Sequence, residues 1–303
     1  MVMADKRKGA LTMTEKDRYA SAAACLPERL RQAALAQPES IRTRAEEFRL
    51  RTGRSPTLCL DGREQSIHAD PVTEADIARV LELATRSSMH AAAESLRDGY
   101  ITTPDGHRIG TVGTAALRDR RILTLRRITS VCIRIARCFP GAALPVYGIL
   151  QKGEGCGGTL IVSPPGLGKT TLLRDLIRLI SDGGVRTALV DERGELSGDG
   201  FDLGSHTDIL TGVPKALAIP MLLRVMSPQI IAMDEIAAAA DIDAMERAVG
   251  CGAGLVATVH GATLADVLSR PALENVLQRG AFRHAVFIER SGSGRRYRVE
   301  AVR

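Results

Sequence analysis

Short runs rich in apolar residues recur through the second half of the chain, and each ends at polar or charged residues. They occupy residues 159–162, 186–190, 230–233 and 255–259. A run of this length is typical of a strand that is buried on both faces. Residues 172–180, between the first two runs, have helical spacing. Strands that alternate with helices predict an α/β domain with a mainly parallel sheet, which binds ligands beyond the carboxyl ends of its strands.

The first half of the chain mixes helical spacing with alternation. Residues 27–36 and 89–97 have the spacing of helices, and Thr73 with Asp76 resembles a capping box that opens another helix. Alternating segments flank turns at Gly53 and Asp105. These patterns predict an α+β domain with strands at 48–51, 57–60, 101–103, 108–112 and 126–137, and a further hairpin of 284–288 and 297–302 closes the chain.

The patterns divide the chain into three segments. Residues 1–18 are polar and of mixed charge, and are predicted to form a flexible extension. The smaller α+β N-terminal domain is expected at 19–145 and the α/β domain at 146–303. The sequence Cys-Phe-Pro-Gly at 138–141 breaks the pattern, so the boundary is expected between about residues 138 and 150. A length of 303 residues leaves about 150 for each domain, enough for two cores.

Composition narrows the class of protein. With 45% hydrophobic and 25% charged residues, the chain has the make-up of a soluble globular protein. Neither a signal peptide nor an unbroken apolar run of 18 residues is present, so we expect a cytoplasmic protein. The net charge of +6 selects no partner. With no Trp, five Phe and four Tyr, an aromatic platform for stacking bases is not expected.

The six cysteines suggest neither a metal site nor a disulfide scaffold. They contain no Cys-x-x-Cys pair and have no histidine cluster nearby. We therefore expect free thiols in a reducing compartment.

One glycine-rich loop carries the clearest chemistry. Gly166 and Gly168 can adopt positive φ, which lets backbone N–H groups converge on phosphate oxygens. Lys169 adds a charge for the β- and γ-phosphates, and the Thr170 hydroxyl suits Mg²⁺. Because the loop lies between a strand and a helix, it is predicted to bind a nucleoside triphosphate; a glycine-rich helix cap is the alternative. The loop comprises Ser163, Pro164, Pro165, Gly166, Leu167, Gly168, Lys169, Thr170 and Thr171, with Ser163 where the usual pattern has Gly.

Two carboxylates close the strand at 230–233, some 65 residues after the loop. In a P-loop enzyme Asp234 would orient the Mg²⁺ shell and Glu235 would polarise the attacking water. A carboxylate pair that merely caps the next helix is the alternative. The strand at 255–259 ends near His260, so Thr258 and His260 are candidates for sensing the γ-phosphate, although His260 could instead be structural.

Arginines crowd one stretch of the N-terminal domain. Residues 108–137 contain eight arginines and one acidic residue, Asp119. A solvated sheet face would explain them, as would contact with nucleotide on a neighbouring subunit or a basic partner-binding face.

Taken together, these motifs resemble those of a known family, that of stage III sporulation protein AA. The resemblance covers about residues 45–290 and includes the residue at the start of the loop, since the family tolerates Ser at the position of Ser163. It rests on motifs at 163–175, 190–193, 223–229, 233–236 and 257–261, and on N-terminal motifs at 48–53, 99–102, 106–110 and 133–137.

The family is similar to the ATPases of type II and type IV secretion systems, which implies a RecA-like or AAA+ P-loop core. The resemblance implies a hexameric motor that uses ATP and Mg²⁺ on the mother-cell side of the channel between mother cell and forespore. It implies recruitment to the membrane by channel proteins, and turnover coupled to assembly of, or transport through, that channel. Secretion ATPases also have a catalytic carboxylate in an acidic box between the two nucleotide signatures, where Glu192 and Glu195 lie here. The general base is thus left open between Glu235 and the acidic-box residues Glu192 and Glu195, of which Glu192 is the candidate kept for catalysis.

Two other functions are compatible with the sequence. One is a nucleic-acid motor or loader, which the scarcity of aromatic residues disfavours; the other is a structural ring gated by nucleotide without useful turnover. In a ring, an arginine could act across the subunit boundary, and the candidates are Arg224, Arg134 and Arg137.

Overall fold

The computed structural model describes residues 15–85, 99–118, 121–153, 155–198, 201–236, 239–291 and 294–302. Within them the chain forms two compact units. The first reaches Cys138 and includes Gly198–Phe201, and the second comprises Phe139–Ser197 and Asp202–Arg303. The helix expected at 89–97 and the first fourteen residues lie outside the described residues.

The first unit is an antiparallel sheet of six strands with helices packed against it. The strand order is β3-β2-β1-β6-β5-β4. Phe48, Leu50, Ile109 and Ile133 are fully buried beneath the helices. Its elements are α1 (Glu15–Ala23), α2 (Glu28–Leu35), α3 (Glu39–Arg42), β1 (Ala45–Arg51), β2 (Thr57–Leu60), β3 (Arg63–Ser66), α4 (Glu74–Ala84), β4 (Tyr100–Thr102), β5 (Arg108–Arg118) and β6 (Arg121–Arg134).

The start of this unit corrects one expectation. The flexible extension was predicted to end at residue 18, but residues 15–18 form the first turn of α1. Arg18 is fully buried and donates a hydrogen bond from Nη1 to the carbonyl oxygen of Asp105 at 2.8 Å. Residues 15–18 therefore belong to the fold, because the buried charge of Arg18 finds an acceptor within the same unit.

A buried histidine belongs to the same cluster. His107 is fully buried, contacts the Ser21 hydroxyl through Nε2 and accepts the Ala136 N–H on Nδ1. Burial, reinforced by the positive charge of Arg18 and opposed by Asp105, lowers the pKa of His107 to about 4. A neutral imidazole with both nitrogens in use holds the loop after β4 and has a structural role.

The second unit is a seven-stranded sheet in the order β13-β12-β7-β11-β10-β8-β9. Strands β12, β7, β11, β10, β8 and β9 are parallel, and β13 is an antiparallel edge. Apolar clusters cover both faces of the sheet, with α5 and α6 on one face and α7, α8 and α10 on the other. The elements are α5 (Leu144–Lys152), β7 (Thr159–Ser163), α6 (Lys169–Asp182), β8 (Thr187–Asp191), β9 (Thr207–Thr211), α7 (Lys215–Met226), β10 (Ile230–Glu235), α8 (Ala239–Gly250), β11 (Gly254–His260), α9 (Leu264–Leu268), α10 (Pro271–Gln278), β12 (His284–Ser291) and β13 (Gly294–Ala301).

Most of the predicted elements are confirmed. Burial of every residue of β7 and β8 agrees with the unbroken apolar runs. The capping box of Thr73 and Asp76 is present at the start of α4. Strands β3 and β9 have no counterpart among the predictions, since their sequences REQS and TDILT are polar and lie exposed or half-exposed at sheet edges. All six cysteines are free thiols. No helix in the described part of the chain is long and apolar enough to cross a membrane.

Candidate nucleotide site

The glycine-rich loop joins β7, an interior strand between β12 and β11, to α6. Gly166 and Gly168 have φ of +78° and +94°, values that side chains with a Cβ rarely adopt. Gly168 is the N-cap of α6 and accepts the N–H of Leu172 on its carbonyl oxygen at 2.9 Å. The loop thus turns tightly at the carboxyl end of a buried strand and leads into a helix N-terminus, the arrangement that favours bound phosphate.

Lys169 lies inside this loop. Its side-chain Nζ donates to the carbonyl oxygens of Ser163 at 3.0 Å and Pro164 at 3.2 Å, and the residue is buried. Burial lowers the pKa of Lys169, and the negative charge of Glu235 opposes that shift. The ammonium group is therefore held at the centre of the loop. Phosphate oxygens of a bound nucleotide could replace the two carbonyl oxygens as acceptors of its hydrogen bonds.

His260 connects the loop to the end of β10. In the parallel register, His260 lies opposite Ser163. Its Nδ1 is 2.8 Å from Lys169 Nζ, and its Nε2 is 3.2 Å from Glu235 Oε2. An ammonium group can only donate, so Nδ1 accepts and the ring proton lies on Nε2, facing the carboxylate. Three residues predicted for the site are thereby joined in one chain of contacts, Lys169–His260–Glu235.

Thr258 occupies the same strand. It pairs in register with Glu235 and is buried, and its carbonyl oxygen accepts the N–H of Ile236 at 3.0 Å. This backbone bond fixes the end of β10, where both strand-end carboxylates lie.

A second buried lysine, which the sequence analysis did not single out, holds the other carboxylates. Lys215 is 5% exposed. Its Nζ lies 2.8 Å from Asp234 Oδ1 and 2.9 Å from Glu192 Oε2. Lysine is unfavourable in the first turn of a helix because the macrodipole is positive there. Its place at the start of α7 was therefore the available signal that carboxylates compensate it.

These charges alter the ionisation of the pair. Burial lowers the pKa of Lys215, but the Asp234 and Glu192 carboxylates outweigh it, so the pKa is raised. Burial also raises the pKa of Asp234, more than the nearby Lys215 lowers it. Lys215 supplies the positive charge that keeps a buried carboxylate in place at the end of β10.

Asp191 organises the acidic segment between the two signatures. Its carboxylate is fully buried and accepts the backbone N–H groups of Glu195, Leu196 and Ser197 at 2.8–3.0 Å, together with the Ser197 hydroxyl. The turn presents Glu192 to Lys215, while the Glu195 backbone belongs to the turn itself. Glu192 is thereby connected to Asp234 through Lys215.

The residues present fit a divalent cation bound together with a triphosphate. Asp234 Oδ1 is buried and lies 2.8 Å from Lys215 Nζ, so it already faces a positive charge of the kind that a metal ion would supply. The half-buried Thr170 hydroxyl has no hydrogen-bond partner among the described residues. The described residues contain no cluster of three His, Cys, Asp or Glu that could hold a metal alone, so oxygen ligands from the nucleotide would be needed.

The three candidate arginines have different surroundings. Arg224 is exposed on α7 and forms no ion pair with the described residues. Arg134 pairs with Glu47 at 3.3 Å, and Arg137 donates to the carbonyl oxygen of Ala45 at 2.6 Å. Arg127 pairs with Glu74, so several arginines of the basic stretch bind acceptors within the first unit, as a solvated sheet face predicts.

The chain has a P-loop α/β fold with a RecA-like core, and solved secretion-system ATPases share this fold. The ATPase DotB of Legionella pneumophila matches with a TM-score of 0.57 and 17% identity over 84% of this chain and 76% of that one. The pilus retraction motor PilT with bound ADP matches with a TM-score of 0.57 and 16% identity over 86% and 80% of the two chains. At these identities the likeness establishes the fold.

The family model "Sporulation stage III, protein AA" matches residues 16–300, and the chain belongs to that family. Stage III sporulation protein AA of Bacillus subtilis is 35% identical over 267 residues, 85% of this chain and 86% of that protein. The Arabidopsis thaliana protein SEEDLING PLASTID DEVELOPMENT 1 is 30% identical over 233 residues, which cover 73% of this chain and 31% of that protein. The resemblance noted from the motifs is confirmed.

The contact between Lys215 and Asp234 generates a prediction about stability. Lys215→Met should lower the free energy of unfolding by about 3 kcal/mol or more, because it leaves a buried carboxylate without its counter-charge. Asp234→Asn in the same chain should restore part of the loss. Urea denaturation of the two single variants and the double variant measures the coupling.

A double-mutant cycle between Lys215 and Glu192, with Lys215→Met and Glu192→Gln, is the control. The Glu192 side chain is 38% exposed, against 17% for Asp234, so its coupling should be smaller. If Lys215→Met and Asp234→Asn had additive effects within about 0.5 kcal/mol, the pair would not be coupled.

Proposed function

We propose that this protein is an ATP-hydrolysing motor of the secretion-ATPase type. The observation that carries the proposal is the chain Lys169–His260–Glu235, which links the phosphate loop to a strand-end carboxylate through contacts of 2.8 Å and 3.2 Å. A loop that only bound nucleotide would not need a carboxylate connected to its lysine. The family, and a fold shared with an ATPase and with a pilus retraction motor that binds ADP, support the same interpretation.

Each residue has a role in the proposed reaction. Lys169 binds the β- and γ-phosphate oxygens, and the backbone N–H groups of residues 163–171 surround them. Glu235 accepts the proton of a water whose oxygen attacks the γ-phosphorus, releasing ADP and phosphate. The Nε2–H group of His260 faces the ionised Glu235 carboxylate at 3.2 Å and orients it, while Nδ1 of His260 accepts a hydrogen bond from Lys169. Thr258 fixes the strand beside them.

A magnesium ion would be held by Thr170 and Asp234, and would offset the negative charge of the triphosphate. Lys215 keeps Asp234 in position from the opposite side. Between the two candidates for the general base, the contacts favour Glu235. Glu192 is bound to Lys215, whereas Glu235 is connected to the phosphate loop itself.

In the cell, turnover would be coupled to assembly of, or transport through, the channel between mother cell and forespore. The support is the name of the Bacillus subtilis relative and the fold shared with a pilus motor. We place the protein in the mother-cell cytoplasm, recruited to the membrane by proteins of that channel.

The motor is proposed to be a homo-hexamer, as the secretion-ATPase resemblance implies. On α7, the apolar side chains of Leu217, Met221 and Val225 are exposed at helical spacing beside Arg224. A stripe of this kind in a soluble chain suits a protein interface. A neighbouring copy would cover it and would bring Arg224 towards a nucleotide site across the boundary.

The enzymatic part is tested by removing the loop lysine. Lys169→Ala should reduce phosphate release from ATP roughly a hundredfold or more, because it removes a charge directed at the transferred phosphoryl group. Lys152→Ala, at the exposed end of α5, should keep the parental rate. Hydrolysis by Lys169→Ala at the parental rate, with matching circular dichroism, would sink the proposal.

The intersubunit role is tested by mixing variants. Arg224→Ala and Lys169→Ala should each be inactive alone, and the mixed proteins should recover part of the activity, since some boundaries then contain both intact residues. Arg134→Ala, whose arginine pairs with Glu47, should stay active alone. Full activity of Arg224→Ala, or no recovery on mixing with subunit exchange verified, would contradict an action across subunits.

A further inference from the structure

The C-terminal hairpin runs beside the phosphate loop. Strand β12 is parallel to β7, with Phe287 opposite Val162, and β7 ends at Ser163. Residues 289–291 of β12 therefore continue beyond the end of β7, on the side where the loop lies. β13 returns antiparallel along them, with Arg295 directly opposite Arg290.

The alternation of the two strands shows which face these arginines occupy. Val286 and Ile288 of β12 are buried in the cluster that contains α6, and Tyr297 and Val299 of β13 pack against the same cluster. Arg290 and Arg295 continue these two rows, so they lie on the face that carries α6.

Arg295 reaches the loop itself. A Cβ built on Gly168 would lie 3.0 Å from the Arg295 Cζ and 3.2 Å from each of its terminal nitrogens. The guanidinium group thus lies over the residue that caps α6, the residue immediately before Lys169. The absence of a side chain at Gly168 is what makes this approach possible.

The charges at this point do not compensate one another. Like charges directly opposite on paired strands are destabilising, and a helix N-terminus is itself positive. Arg295 and Arg290 form no ion pair with the carboxylates among the described residues. By contrast, Arg298, on the other face of β13, pairs with Glu289 and Glu300. An anion at the loop would resolve the repulsion.

We propose that Arg295 binds the polyphosphate of the nucleotide from within the same subunit, and that Arg290 adds to the positive electrostatic potential at that point. The inference rests on the proposed function, because it assigns a further ligand to that nucleotide site. Arginine suits the role, since its planar group donates two hydrogen bonds to one phosphate. In the sheet, β7 lies between β12 and β11. The hairpin of β12 and β13 therefore lies on one side of the phosphate loop, and His260, at the end of β11, lies on the other.

Calorimetric titration of the full chain with the ATP analogue AMP-PNP and with inorganic pyrophosphate tests this. Arg295→Ala should weaken binding of both probes roughly tenfold to a hundredfold, the scale of a lost charge-assisted hydrogen bond. Arg295→Lys should lose less, because it keeps the charge. Arg296→Ala, the next residue on the strand and exposed, removes the same charge from the opposite face and should bind within about twofold of the parent.

Parental affinity in Arg295→Ala would overturn the inference. An equal loss in Arg296→Ala would also overturn it, because the net charge of the hairpin, and not a contact of Arg295, would then explain the weaker binding. A loss for AMP-PNP alone would overturn the contact with phosphate. Lys169→Ala separates this test from the proposed function. If the parent binds both probes in a Lys169-dependent manner and Arg295→Ala binds equally well, only the role of Arg295 fails. If the parent binds neither probe, the nucleotide site itself fails.

Discussion

Pairing of buried lysines with strand-end carboxylates is the interaction on which the site depends. Lys169 reaches Glu235 through His260, and Lys215 lies between Asp234 and Glu192. A buried ammonium group without such partners would be strongly destabilising. The two lysines therefore fix where the carboxylates lie, and with them the groups that would meet a triphosphate.

The parallel sheet makes this pairing possible. Strands β7, β10 and β11 run the same way and end together, so residues distant in sequence meet at one edge. Parallel register brings His260 opposite Ser163 and Thr258 opposite Glu235. The apolar clusters on both faces leave the polar residues only the strand ends and loops, which is where ligands bind in such folds.

The sequence predicts most of the strands, the loop and most of the candidate site residues, because each of these follows from a short local pattern. Unbroken apolar runs predict β7 and β10, and Gly168 next to Lys169 predicts a turn for phosphate. Arg295 has no local pattern, since its role comes from strand register, and Lys215 has only its unfavourable place at the start of a helix, because its partners Asp234 and Glu192 lie many residues away. Strands β3 and β9 were missed because their polar sequences resemble loops, and residues 15–18 because a polar segment resembles an extension.

The central claim is that Glu235 activates water at a site where Lys169 holds the triphosphate. The most direct measurement is single-turnover phosphate release by Glu235→Gln, with AMP-PNP affinity measured on the same preparation and Glu192→Gln as the matched carboxylate control. The account predicts parental affinity with phosphate release slowed roughly a hundredfold or more, and a much smaller effect of Glu192→Gln. Phosphate release by Glu235→Gln at the parental rate, with Glu192→Gln inactive, would contradict it.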